Sequence, residues 1–343
     1  MMDPIYHLGI TFILYLQSLR AWLATPMQFF TFLGTEDFFL FVAPAVYWCI
    51  NALLGLQIGL LLMVSDAINY AMKISLHGPR PYWYDRRVLA LSSETSFGVP
   101  SGHAQHAVVV WGAMAAAARR KWAWIAAVLL MFFIGFSRLA LGMHFPSDVL
   151  VGWMLGALIL WAFLFLQKPV GAWVMRLALG ERFLAVFAGS LALLLIGALS
   201  KLSLGAWVLP SLWATNAALA DPSAAPIDPL ALSGLVSNAG VFFGLAAGWL
   251  LLQTKGGFDA GGSWWKRLAR FPIGLAGVFV LWYGLGAIFP RGEFLLSYGL
   301  RYLRYALVGF WISAPAPWIF IRLGLAEKET RAPQAEASPA FAR

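Results

Sequence analysis

The chain has little charge with which to cover a surface. Of its 343 residues only 11% are Asp, Glu, Lys or Arg, too few for a soluble domain of this length. A single cysteine, Cys49, excludes an intrachain disulfide and leaves no thiolate cluster for a metal. The opening residues, MMDPIYHLGI, carry no basic stretch ahead of an apolar run, so no cleavable signal peptide is expected. There is no internal repeat and no second soluble domain.

What is present is apolar. Hydrophobic residues make up 61% of the chain, and the mean hydropathy is +0.76. Apolar runs of about 20 residues recur, the length a bilayer core requires, and 17 Trp residues suit the lipid–water interface. The expected fold is all-α, a polytopic helical membrane protein with about nine transmembrane helices. The spans fall near 36–51, 52–73, 103–118, 122–142, 147–167, 183–200, 232–252, 272–290 and 300–323. Residues 1–35, interrupted by Arg20 and Pro26, read as an interfacial or re-entrant segment. Residues 36–167 hold the motifs described below, 168–326 supply additional helices, and 327–343 form a polar, Ala/Pro-rich tail expected to be disordered.

The net charge of +9 does not call for a nucleic-acid partner. With nine alternating spans, fourteen Lys and Arg residues fall on one side and nine on the side that carries His144. The positive-inside rule then puts His144 outside the cytoplasm and the C-terminus within it, in the plasma (inner) membrane if the cell is bacterial.

Three polar islands interrupt the apolar pattern at span ends on the His144 side: KISLHGPRP (73–81), VPSGHAQHA (99–107) and SRLALGMHFPSD (137–148). Cations at membrane depth are costly unless paired or bound to an anion. Lys73, Arg80 and Arg138 together suit a phosphate, the guanidinium forks giving bidentate contacts. Ser101 is a good N-cap, and the free N–H groups around Gly102 and His103 would point at an anion. Gly142 can end one helix and Pro146 open the next, which leaves His144 in the turn between them. Asp148, four residues on, is placed to accept a hydrogen bond from one ring nitrogen, which leaves the other unprotonated and nucleophilic. His103, in the first turn of its helix, is placed to protonate a leaving oxygen.

In this order and spacing, Lys73…Arg80-Pro81, Pro100-Ser101-Gly102-His103 and Ser137-Arg138…His144…Asp148 resemble the three signature motifs of the type 2 phosphatidic acid phosphatase superfamily. RPYW at 80–83, Glu94-Thr95 and His144-Phe145-Pro146 are also similar to its glucose-6-phosphatase branch. The resemblance covers residues 36–167. It implies a metal-independent phosphatase without cofactor, in which His144 forms a phosphohistidine, Asp148 orients it and His103 acts as general acid. Lys73, Arg80, Ser101, Gly102 and Arg138 bind the phosphate. The expected substrate is a lipid phosphate or polyprenyl pyrophosphate, since a site at helix ends suits a headgroup whose tail stays in the bilayer. A sugar phosphate, as in the glucose-6-phosphatase branch, is the alternative, and so is transfer of the phosphate to an acceptor other than water. A transporter or binding protein is the non-enzyme reading.

Plainer readings compete at single positions. Arg80 or Arg138 alone would be an ordinary snorkelling cation; the matched set is what favours phosphate. His106, one turn inside its span, is read as supporting or structural, and His77 as a loop residue. Asp66, on the helix face of Lys73, is read as a helix contact or a support for that lysine. Glu94 has no role assigned. A metal held by His103, His106, His144 and Asp148 is disfavoured by the three cations beside it.

Overall fold

A backbone in lipid has to satisfy itself, and helices do so segment by segment. The computed structural model describes residues 4–329. Among these the regular structure is helical, with one isolated bridge between Asp259 and Glu327. The helices are α1 Pro4–Ser18, α2 Arg20–Phe32, α3 Glu36–Cys49, α4 Ala52–Leu76, α5 Pro81–Tyr84, α6 Gly102–Ala118, α7 Lys121–Ala140 and α8 Pro146–Arg176. They continue as α9 Leu179–Ser203, α10 Ser211–Ala220, α11 Ser233–Thr254, α12 Trp264–Ile288, α13 Leu295–Ser313 and α14 Pro315–Arg322. Most of the expected tail, from residue 330 on, lies outside the described residues.

The chain is a multi-pass helical membrane protein; the expected count of nine spans is not confirmed. Among the described residues six helical stretches are long and apolar enough to cross a bilayer, or seven if α1 and α2 count as one broken span. The count fell for three physical reasons. The 36–51 run is a 14-residue helix, about 21 Å long at 1.5 Å per residue, and α6 has only 17 residues. The 300–323 run is cut at Ala314 (φ −131°, ψ −65°), because Pro315 excludes helical geometry in the residue before it. What remains as α13 carries Arg301 and Arg304 in its middle. At the other end of the chain, Pro26 sits inside α2, and the break falls at Leu19, where α1 and α2 meet at 104°.

The chain divides into two compact units. The first comprises residues up to Phe39, Ile68–Trp161 and Ile196–Ala231. Its core gathers Ile10, Trp83, Phe97, Ala104, Leu141 and Phe145. The segment 196–231 is part of this unit: Asn216 Nδ2 donates to Trp83 O at 2.9 Å, and Asp228 N to Thr95 O at 3.1 Å. The second unit comprises Leu40–Ala67, Ala162–Leu195 and the chain from Leu232 onward. There α11 packs on α13, and Tyr47 and Trp48 donate to the carbonyls of Ser313 and Ile312. Arg270, 1% exposed, gives its guanidinium to the carbonyls of Trp48, Ala260, Gly261 and Leu325.

One close approach in the first unit sets the position of the motifs. A Cβ on Gly152 of α8 would lie 2.6 Å from Ser101 O, and one on Gly156 would lie 2.7 Å from Gln105 O. These small residues, one turn apart, let the α6 and α8 backbones touch. The contact brings Ser101 N within 2.9 Å of Asp148 O, so that two of the three motifs are joined directly. Gly152→Val therefore overpacks the seam, at a cost of about 1–3 kcal/mol. The expected outcome is a lower unfolding temperature and lost turnover, whereas Gly171→Val, whose added atoms start from a position with nothing within 4 Å, leaves both unchanged. Thermal unfolding and phosphate release measured on the same detergent-solubilised samples check this.

Candidate active site

The motif residues sit at helix ends. Lys73 is in the last turn of α4, and Arg80 caps α5, whose first residue is Pro81. Ser101 caps α6, with its hydroxyl accepting from Ala104 N at a long 3.5 Å. Arg138 closes α7, and Asp148 lies in the first turn of α8. Gly142, at φ +73°, supplies the left-handed residue that turns the chain out of α7. Met143 N and His144 N both then donate to Arg138 O, at 2.9 and 3.2 Å. The turn thereby fixes His144 directly after the arginine.

The His144 ring is buried between a carboxylate and a guanidinium. Its Nδ1 lies 3.4 Å from Asp148 Oδ2, an oxygen that also accepts from Phe145 N at 2.9 Å. Asp148 is therefore held as a helix N-terminal cap while it faces the ring. On the other side Arg80 Nη1 is 3.2 Å from Nε2. A guanidinium can only donate, so Nε2 carries the lone pair and the ring proton belongs on Nδ1, toward Asp148. Burial, and then the positive charges of Arg80 and Arg138, push the pKa of His144 well below 6.5. The ring is neutral, with the Nε2 lone pair facing Arg80 Nη1.

Around it the cations converge. Lys73 Nζ donates to Ser96 Oγ at 2.8 Å, and Arg80 Nη2 donates to the same hydroxyl at 3.1 Å. Arg80 Nη2 also reaches Glu94 Oε2 at 2.9 Å, while Arg138 Nη2 donates a short hydrogen bond to Glu94 Oε1. Burial alone would raise the Glu94 pKa, but Arg80 and Arg138 hold its carboxyl well below the usual carboxylate value. Arg138 Nη1 donates to Thr31 Oγ1 of α2 at 2.6 Å. Both arginines are almost fully buried.

Lys73, Arg80, Ser101, Arg138, His144 and Asp148 are thus linked by direct contacts or shared partners. Gly102 follows Ser101, and a Cβ on it would lie 3.4 Å from Asn69 Oδ1. Burial, and then the positive charge of Arg138, push the pKa of His103 well below 6.5, and a Cβ on Gly34 would come within 3.1 Å of His103 Cδ2. His106 is buried in α6. Asp66 belongs to the second unit, where its carboxylate accepts a short hydrogen bond from Asn238. His77 stands in the loop after α4 with φ 34° and packs against Phe97 and Trp207.

Sequence reasoning left Glu94 without a role and passed over Ser96, Thr31 and Gln17. Gln17 brackets the loop backbone, donating to Leu89 O and accepting from Leu89 N. None of the last three has a local signal; only the pairing of Glu94 with Thr95, in the loop between two motifs, was visible. The depressed His144 pKa sets a sign for stability. In the unfolded chain the ring takes up a proton near 6.5, which the folded protein refuses until lower pH, so unfolding binds protons and stability falls as pH drops through that window. His144→Gln should shed this component. Unfolding temperatures of both proteins across the window would show a shallower acid decline in the variant, and parallel curves would contradict the assignment.

Comparison with known proteins gives a consistent set of likenesses. Residues 54–172 match the model of the PAP2 superfamily, and residues 236–328 match the model described as PAP2 superfamily phosphatase, transmembrane extension. The chain is 25% identical to glucose-6-phosphatase 3 of Bos taurus, over 91% of this chain and 94% of that protein. It is 27% identical to glucose-6-phosphatase 2 of Homo sapiens, over 75% of this chain and 80% of that protein. It is 28% identical to phosphatidylglycerophosphatase B of Bacillus subtilis, over 41% of this chain and 73% of that protein.

Proposed function

The chain belongs to the PAP2 superfamily and is a membrane phosphatase, a hydrolase of phosphate esters or pyrophosphates; from that premise we propose that it works through a phosphohistidine on His144. The observation that carries this reading is the His144 ring, with Nδ1 facing Asp148 and the lone pair of Nε2 facing the cation cluster. In the first step Nε2 attacks phosphorus and the bond to the leaving oxygen breaks. His103, which takes up a proton once the phosphate dianion lies beside its ring, gives that oxygen its proton. In the second step water attacks phosphorus and passes a proton to His103, and the electron pair of the P–N bond returns to Nε2. Asp148 keeps the proton on Nδ1 throughout and stabilises the charge that forms on the ring. Arg80, Arg138 and Lys73 neutralise the phosphoryl oxygens, and the Ser101-Gly102 start of α6 offers them its free N–H groups.

For the substrate, a sugar phosphate is the first reading. Relatives that align with 75% and 91% of the chain are glucose-6-phosphatases, whereas phosphatidylglycerophosphatase B aligns with 41% of it. A lipid or polyprenyl phosphate is the second, favoured by the position of every motif residue at a helix end. Arg119, Arg120 and Lys121, at the opposite end of α7 from His144, support an extracytoplasmic site by the positive-inside rule.

His144→Ala should lose turnover by about 10⁴-fold or more while its unfolding temperature stays close to wild type. Asp148→Asn keeps an acceptor for Phe145 N but no longer fixes the proton on Nδ1, and should lose about 10³–10⁴-fold. Phosphate release from a panel of sugar, lipid and prenyl phosphates reads both losses and ranks the substrates. Normal release by His144→Ala would end the mechanism. Capture of an acid-labile phosphoenzyme in wild type, absent in His144→Ala, is the direct observation expected.

A further inference from the structure

Arg80 has no hydrogen-bonding capacity left. Its five N–H groups meet six acceptors: Ser96 O, Ser96 Oγ, Met143 O, Phe97 O, His144 Nε2 and Glu94 Oε2. Three of these are backbone carbonyls of the loops that hold the arginine in place. A phosphate approaching the two arginines has to displace Glu94 Oε2 from Arg80 Nη2, while Arg80 Nη1 stays on Met143 O and His144 Nε2. Arg138 shows the complement. Its Nη1 is bound to Thr31 and its Nη2 to Glu94, but its buried Nε has no partner. The Nε–Nη2 edge is the one that grips an oxyanion with two parallel bonds, and the single Glu94 oxygen on Arg138 uses only half of it.

The glutamate is built to move without its backbone. Tyr82 Oη both donates to Glu94 O, at 3.1 Å, and accepts from Glu94 N, at 3.2 Å. The next carbonyl, Thr95 O, is held by Asp228 N. The side chain is different: it is 27% exposed, while its partners Arg80 and Arg138 are at 0% and 2%. The carboxylate is therefore the accessible member of an otherwise buried triple, hinged on a fixed main chain. It carries one negative charge among two guanidinium groups and Lys73, where a phosphate would bring two and more acceptor oxygens.

We infer that Glu94 is a resident stand-in for the substrate's phosphate, a carboxylate that bridges Arg80 and Arg138 in this structure and swings aside when a phosphate dianion binds. This rests on the phosphatase reading above and adds a specificity device to it. Anions that offer a single charge cannot displace the carboxylate, so the site selects dianionic phosphate. The same competition drives inorganic phosphate out after hydrolysis, because the returning carboxylate takes back both arginines.

The test uses the full chain in detergent, with inorganic phosphate and orthovanadate as probes. Glu94→Gln and Glu94→Ala should bind both at least tenfold more tightly than wild type and show at least tenfold stronger product inhibition by phosphate. Equal or weaker binding by folded variants would overturn the inference and make Glu94 a positioning residue for the arginines. A second measurement needs no variant: labelling of Glu94 in wild type by a water-soluble carbodiimide and an amine, read by mass spectrometry. Saturating vanadate should raise labelling severalfold, and protection or no change would overturn the inference. Failure of this inference alone shows as normal vanadate binding by wild type and weaker binding by Glu94→Gln. Failure of the phosphatase reading shows as no binding of either probe by any of the proteins, and takes the inference with it.

Discussion

Two guanidinium groups buried within reach of one carboxylate are the constraint on which the rest of the first unit turns. Charge of one sign cannot be gathered in a low-dielectric interior without an anion to meet it. Arg80 and Arg138 come from separate helix ends, and Glu94 is the atom group that both touch. The neutral state of His144 follows from the same cluster: burial and the two positive charges act together to keep a proton off the ring. An imidazole in that position stays unprotonated because it is buried among cations. The bridging carboxylate and the neutral histidine are therefore two consequences of one electrostatic arrangement.

The helices serve that arrangement by bringing their ends together. Asp148 caps α8 through Phe145 N and faces His144 with the same oxygen, so a local helix-start bond also sets the carboxylate against the His144 ring. Ser101 caps α6 and is tied through its own N–H to Asp148 O. The Gly152 and Gly156 contacts permit that tie. Precision at the site is thus inherited from helix capping and close backbone packing, both of which resist small displacements.

How much of this was legible in the sequence depended on whether the physics was local. The gathering of Lys73, Arg80, Ser101, Arg138, His144 and Asp148 could be expected because each sits at a helix end with its own signal and is of a type that suits one anion. The polytopic helical class was legible from hydropathy. The number of spans was not, because an apolar window does not register that α3 stops after 14 residues or that Pro315 breaks a run in two. Thr31 and Gln17 were invisible for a different reason. A threonine hydroxyl in an apolar helix and a glutamine just before a bend carry no pattern, and their partners, Arg138 and Leu89, are 107 and 72 residues away. Glu94 could be noticed as an acidic residue among cations, but its bridge exists only once the chain is folded.

The segment 196–231 bears on how freely the site can respond to what binds it. It lies between the two matched family regions and outside both, yet it grips the loops that carry the cluster. Asn216 holds Trp83 O just beyond Arg80, Asp228 holds Thr95 O just beyond Glu94, and Trp207 packs against both His77 and Phe97. Lys201 and Tyr70 both donate to Leu230 O, which ties the segment's end to α4 and to α9. Backbone held at so many points cannot rearrange to admit a ligand. Adjustment at this site therefore has to come from side chains, and among those contacting both arginines the Glu94 carboxylate is the one with an open edge.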